Sequence, residues 1–205
     1  MAYLELAELK RYLGITSNSE DTLLGEIIDN VTREIVTRTH RNFELISTHG
    51  HGPPVTTFAH YFSPRRFVDG GHTLDAITLN LGEDLYELVS IVNGDGTTIA
   101  NANVTLLPYN MRPPWGQIRI KADKGIYWTG DHDASIAVTG KWGYSQTVPA
   151  DIRQAALIMC KHYYTQRPGA AGLGAPVISA DGVVIEAGQT MSDAMRILKS
   201  YIRRS

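Results

Sequence analysis

The chain has 205 residues, with 19 Lys/Arg against 21 Asp/Glu, a net charge of −2 and one cysteine. That length supports one domain, or one domain with a sizeable insertion, and buries roughly 70% of the surface of the unfolded chain, so neither a disulfide nor a metal is needed to hold it. The charge balance argues against affinity that rests on neutralising phosphates, and no apolar run approaches the ~20 residues of a membrane span.

The N-terminal "MAYLELAELKRYLG" lacks a basic start and a continuous apolar core, so it does not read as a signal peptide. It reads as a helix with Leu6, Leu9 and Leu13 on one face, closed by Gly14. A second helix is expected from about Ser19 to Phe43. Leu23, Ile27, Val31 and Ile35 recur every four residues, and Leu24 and Ile28 widen the stripe. Ser19 is the expected N-cap, with Glu20 and Asp21 against the positive helix end. Asp29–Arg33 and Glu34–Arg38 have the (i, i+4) spacing of surface ion pairs.

From about Phe58 to Gly140 the pattern changes to β-branched residues and turn signals, and five to seven short strands are expected. "LYELVSIV" followed by "NGDG" predicts a hairpin, because Asn-Gly and Asp-Gly tolerate positive φ. "QIRIKA" alternates, with Ile118, Ile120 and Ala122 on one face and Gln117, Arg119 and Lys121 on the other; "SIAVTGKW" reads the same way. Two stretches here invite a metal reading. "HGHG" holds His49 and His51, with His40, His60 and His72 elsewhere, but no cysteine or carboxylate stands at a recognisable spacing, and a loop is the plainer reading. "GDHDAS" holds Asp131, His132 and Asp133, but adjacent residues on an extended chain point to opposite faces, and a polar turn is the plainer reading. The aromatics Trp115, Trp128, Trp142, Tyr127 and Tyr144 suit either core and subunit packing or a stacking platform for sugars or bases.

"VTGKWGYSQTVPADIRQAALIMCKHYYTQR" joins a strand to a helix through a Gly-aromatic-Gly corner. Pro149 suits the first helical position, Asp151 the first turn, and Ile152, Ala155, Ala156, Met159 and Tyr163 form the expected buried stripe, stopped at Arg167–Pro168. Cys160 lies in the apolar run and reads as a buried free thiol rather than a nucleophile. "PGAAGLGAP" (168–176) reads as a linker; it lacks the Lys-Ser/Thr of a phosphate loop. "VISADGVVIE" (177–186) reads as a hairpin turning at Asp181–Gly182. A fourth helix is expected over "TMSDAMRILKSYIRRS", capped by Thr190, with Met191, Met195, Leu198 and Ile202 as its stripe and Arg203 and Arg204 at its negative end. The fold class expected is α+β: a small bundle of four helices with an inserted antiparallel β-domain. Its divisions are a helical core (1–44 and 141–167), a β-rich insert (45–140), and a linker, hairpin and C-terminal helix for partner contact (168–205).

Three stretches together carry a family resemblance. "LAELKRYLGI" with "SEDTLLGEIIDNVTREIVTRTHRNF" is similar to the N-terminal helix pair of the head–tail connector (adaptor) proteins of tailed bacteriophages. "YNMRPPWGQIRI" resembles their late-strand segment, and the Gly-aromatic-Gly corner, Val-Pro and packed helix resemble their junction. The resemblance implies a structural virion protein of the neck, made in the bacterial host cytoplasm. It implies a ring, usually dodecameric, under the portal, which continues the DNA channel and meets a stopper or tail-completion protein. Double-stranded DNA passes through without specific binding, and no catalytic residue, metal, cofactor or membrane is implied. A head-to-tail ring needs two different patches, for which the second helix and the β-region are expected. Residues 187–205 are expected to touch the portal through Met195, Leu198, Tyr201, Ile202 and Arg203. The residues chain 45–135 and the segment after Arg167 depart from the family pattern. Two other readings compete: a carbohydrate- or host-surface-binding module using the aromatic β-region, and a small hydrolase with a dispersed site, for which no G-x-S-x-G or H-E-x-x-H spacing is present.

Overall fold

A computed structural model of the chain describes residues 2–46, 57–62, 73–75, 77–129, 135–167, 177–178, 184–185 and 191–203. The chain divides into two compact units, one of Met1–His40 with Val148–Arg204, the other of Arg41–Thr147. The architecture is mixed α+β, four helices and an antiparallel sheet, as expected.

The helical unit contains α1 (Leu6–Leu13), α2 (Asp21–Thr39), α3 (Ala150–Thr165) and α4 (Met191–Lys199). Gly14 closes α1 in the left-handed region (φ 73°), where its N–H donates to the carbonyl of Arg11. The start of α2 differs from expectation: Glu20 is the N-cap residue, and the Ser19 backbone N–H instead donates to the Ser17 hydroxyl oxygen. Its end differs too. His40 adopts φ 53° and terminates the helix at Thr39, four residues before Phe43. The buried face of α2 is Leu24, Ile27, Ile28, Val31, Thr32, Ile35 and Thr39, while Leu23 is left exposed. Glu34 and Arg38 pair at 2.7 Å, but Arg33 bonds the Asp29 carbonyl and the Asn30 side chain rather than the Asp29 carboxylate.

Helix α3 packs against α1, α2 and α4. Neighbours on several sides explain why every residue from Ala155 to Cys160 is buried, where a one-sided stripe was expected. The predicted Tyr163 is 39% exposed and Tyr164 takes the inward position. Pro149 stands just before the first turn as N-cap, its carbonyl accepting from the N–H of Arg153. Each fully buried Ile or Leu in this unit contributes about 1.5–3 kcal/mol by removal from water. β8 (Val177–Ile178) and β9 (Val184–Ile185) pair antiparallel, as the hairpin reading requires; the expected turn at Asp181–Gly182 and the 168–176 linker lie outside the described residues.

The second unit holds β1 (Phe58–Phe62), β2 (Thr73–Asp75), β3 (Thr78–Val92), β4 (Thr98–Ile99), β5 (Val104–Leu107), β6 (Trp115–Ile120) and β7 (Ile136–Trp142). The sheet order is β1-β7-β3-β6-β5, with β2 and β4 also paired to β3. β3 changes neighbours along its length: Thr78–Asn80 pair with β6 and Leu88–Val92 with β7, with register shifts between. The "NGDG" turn forms as predicted; Asn93 and Thr97 are hydrogen-bonded, and Ile91 faces Ile99. Ile118 and Ile120 of β6, and Ile136, Val138 and Trp142 of β7, point into one core with Leu79, Leu81, Leu85, Ile91 and Ile99. The unit boundaries place residues 41–44 and 141–147 with the sheet rather than the helices, because backbone bonds hold them there: Gly143 N–H to Asp84 O, Tyr144 N–H to Asn42 O, and Ile46 N–H to Trp142 O.

Candidate interaction surfaces

The Gly-aromatic-Gly corner is a packing device. A Cβ on Gly140 would fall on the carbonyl oxygen of Glu87 and 2.7 Å from Leu85 Cδ1, so β7 and β3 approach there only because the side chain is absent. Trp142 is fully buried, its ring 4.2 Å from that of His60 and 6.1 Å from that of Phe62. Gly143 has φ 139° and lies against the Glu44 carbonyl, a conformation and a space that suit glycine alone. Tyr144 packs on Phe43 and beneath the Arg41 guanidinium, which reaches Asp84 at 2.6 Å. Every group in this corner is committed to structure, which accounts for a sharply marked junction carrying no reactive side chain.

Several titratable groups of the helical unit are likewise engaged with one another. Tyr164 donates to Glu20, and Arg167 pairs with Glu20 at 2.7 Å while lying over the Tyr164 ring. The Tyr164 hydrogen bond, then Arg167, hold the Glu20 carboxyl below the usual carboxylate range; the same bond raises the Tyr164 phenol. Tyr163 donates to Glu34, which raises its phenol in turn. Glu8 pairs with Arg153, and Asp21 with Lys10. Burial pushes the Cys160 thiol up to about 12, the opposite of what a nucleophile needs. Among the described residues no three His, Cys, Asp or Glu gather as a metal site. The candidates His49, His51, His72, Asp131, His132 and Asp133, and the 172–176 "GLGAP", lie outside the described residues. His40 ends α2, and His60 lies on Trp142 with Nδ1 3.5 Å from Glu83. The proposed stacking platform is not assembled: Trp142 and Trp128 belong to the core, and of the five aromatics only Tyr127 is exposed, at 56%.

The C-terminal residues expected at a partner are divided by the fold. Helix α4 ends at Lys199, so Tyr201, Ile202 and Arg203 follow the helix rather than forming its last turn. Leu198 is buried together with Ala194, beside α3, and so is enclosed by its own chain. Tyr201 donates to the Asp151 carboxylate and the Arg203 N–H to the Thr39 carbonyl. Met195 is half-buried and Ile202 is exposed at 44%. A surface that sequence reasoning did not single out lies at the β5–β6 connection, where Tyr109 and Met111 are 67% and 62% exposed beside exposed Arg112. The adjacent prolines and the alternation of β6 mark it as a turn, but exposure of its apolar residues is a tertiary fact.

These observations define a two-unit α+β protein. Residues 3–63 match the family model described as phage gp6-like head-tail connector protein, which spans α1, α2 and β1. The resemblance to head–tail connectors expected from the sequence therefore holds over that segment. Among solved structures, the fold matches a chain described as the neck of an empty GTA particle computed with C6 symmetry. The TM-score is 0.53 at 17% identity, covering 99% of this chain and 91% of that one. No curated protein matches the chain. The structural likeness establishes that the two chains share a fold.

Proposed function

We propose that this chain is a structural protein of the neck of a tailed phage or phage-like particle, an adaptor between capsid and tail. The observation that carries the reading is the coincidence of two independent likenesses: a connector family model over residues 3–63, and the fold of a neck protein over nearly the whole chain. The internal engagement of the corner and of the helical ion pairs agrees with a packing role rather than catalysis. In this reading the copies form a ring under the portal, meet a stopper or tail-completion protein below, and surround the DNA channel. The C6 symmetry of the related neck is compatible with a dodecamer. The C-terminal segment 187–205 contacts the portal, and since Leu198 is enclosed, Met195, Ile202 and the outward side of α4 carry that contact.

The test is direct. Mass spectrometry of purified mature particles is expected to find the chain, and electron microscopy to place it in the neck. Its absence from mature particles, or turnover of a substrate by the purified chain, overturns the reading. Met195→Glu with Ile202→Glu tests the portal contact without removing the helix; undiminished incorporation into particles refutes that part alone.

A further inference from the structure

Charge is unevenly distributed within the sheet unit. Residues 97–129 carry Arg112, Arg119, Lys121 and Lys124 against one carboxylate, Asp123, whereas the remainder of residues 41–147 carries four cations and nine carboxylates. Ile118 and Ile120 face the core, so Arg119 projects from the opposite face of β6, its Nε donating to Thr78 Oγ1; Lys121 follows the strand, its Nζ donating to the Ala102 carbonyl, and both residues are exposed. Arg112 stands at the tip, next to the exposed Tyr109 and Met111. The β5–β6 hairpin thus combines cations at the end of β6 with a tip of Tyr, Met and Arg, the residue types enriched where proteins meet proteins. A surface for the phosphates of DNA would have less use for the two large apolar side chains.

The helical unit holds a surface of the opposite character. Residues 16–32 contain four carboxylates and no Lys or Arg; Arg33, the next residue, is exposed and donates to the Asp29 carbonyl and the Asn30 side chain, leaving the carboxylates in excess on this stretch. Glu20 and Asp21 are paired with Arg167 and Lys10. Glu26 and Asp29 are exposed on α2 and form no ion pair among the described residues. Leu23, one turn before Glu26, is 36% exposed, against the expectation that it would join the core. An exposed apolar residue followed by two exposed carboxylates complements a hairpin that carries an aromatic-and-methionine tip with Arg112 beside it and further cations along β6.

We infer that the β5–β6 hairpin of one copy docks on the Leu23–Glu26–Asp29 face of α2 in a second copy. The two patches differ, so the contact is head-to-tail, the kind that generates a ring when the rotation closes. The inference deepens the ring reading above by naming the surfaces.

Sedimentation velocity of the full chain at low and high salt tests it. The wild type is expected to self-associate, and salt to weaken that association. Arg119→Glu with Lys121→Glu, and separately Glu26→Lys with Asp29→Lys, are each expected to weaken it by about tenfold or more. An equimolar mixture of these two variants is expected to restore it, because opposite charges then meet between unlike copies. Arg119→Gln with Lys121→Gln, a gentler change, serves if the reversal perturbs folding by circular dichroism. Tyr109→Ser with Met111→Ser is expected to weaken association with little change in salt dependence. A wild type that stays monomeric throughout overturns the inference, as does failure of the mixture to restore association. So does a hairpin reversal that abolishes binding to a DNA duplex while leaving self-association intact. None of these results touches the neck reading, which stands or falls on the chain's presence in particles.

Discussion

Gly140→Ala isolates the close approach of β3 and β7. The backbone at Gly140 lies outside the left-handed region, so alanine meets no dihedral penalty there, and the whole effect is steric. The new methyl would overlap the Glu87 carbonyl and press Leu85 Cδ1 at 2.7 Å. Leu85 is fully buried and Glu87 O belongs to the strand itself, so relief requires the two strands to part where Leu88 faces Gly140. Overpacking of this kind costs about 1–3 kcal/mol, and a rigid backbone contact puts it near the upper end. Gly116→Ala on β6 is the control, since nothing lies within 4 Å of its Cβ; it should be neutral or stabilising by about 0.4–1 kcal/mol. For a chain of this length a 3 kcal/mol loss lowers Tm by roughly 6–12 °C. All three tryptophans lie in residues 41–147, so tryptophan fluorescence during urea titration reports on the sheet unit. Equal midpoints for the two alanine variants would refute the steric argument.

Three further outcomes follow from buried and paired groups. The Cys160 thiol, raised to about 12 in the fold, favours the folded state up to the unfolded thiol's range and loses that contribution as pH rises toward 12. Between pH 9 and 10.5 wild type should therefore lose about 2 kcal/mol more than Cys160→Ala, measured by urea midpoints. The Glu20 carboxyl, lowered by Tyr164 and then Arg167, contributes above the ordinary carboxylate range and loses its contribution as pH falls through its folded value; in Tyr164→Phe, carboxyl titration by NMR should show Glu20 returning toward that range. Leu198→Ala should cost about 2–5 kcal/mol by cavity formation, and Ile202→Ala less than about 0.5 kcal/mol, in chemical denaturation; comparable costs would contradict the burial assigned to α4.

Much of the fold was legible because period and punctuation agree. Leu9 and Gly14 fix α1, and the alternation around Ile118 and Ile120 fixes β6, since local propensity and tertiary burial favour the same geometry there. The misplacements occur where tertiary context alone decides. His40 is no glycine, yet it takes the left-handed residue that ends α2. Tyr163 and Tyr164 are adjacent tyrosines separated in angle by one helical step; in the fold Tyr164 takes the buried position with Glu20 and Arg167, and Tyr163 the exposed one with Glu34. The same limit applies to surfaces. Apolar residues in sequence look like core until the fold counts its neighbours: Leu198 has them, and so cannot serve a partner while α4 is docked, whereas Leu23, Tyr109 and Met111 lack them. A periodicity argument assigns Leu23 and Leu198 the same fate and says nothing of Tyr109 and Met111 in their loop, because hydrophobicity is local and burial is collective. What distinguishes a contact surface here is the conjunction of exposed apolar side chains with unequal charge on two different elements, and that conjunction exists only once β5–β6 and α2 are folded.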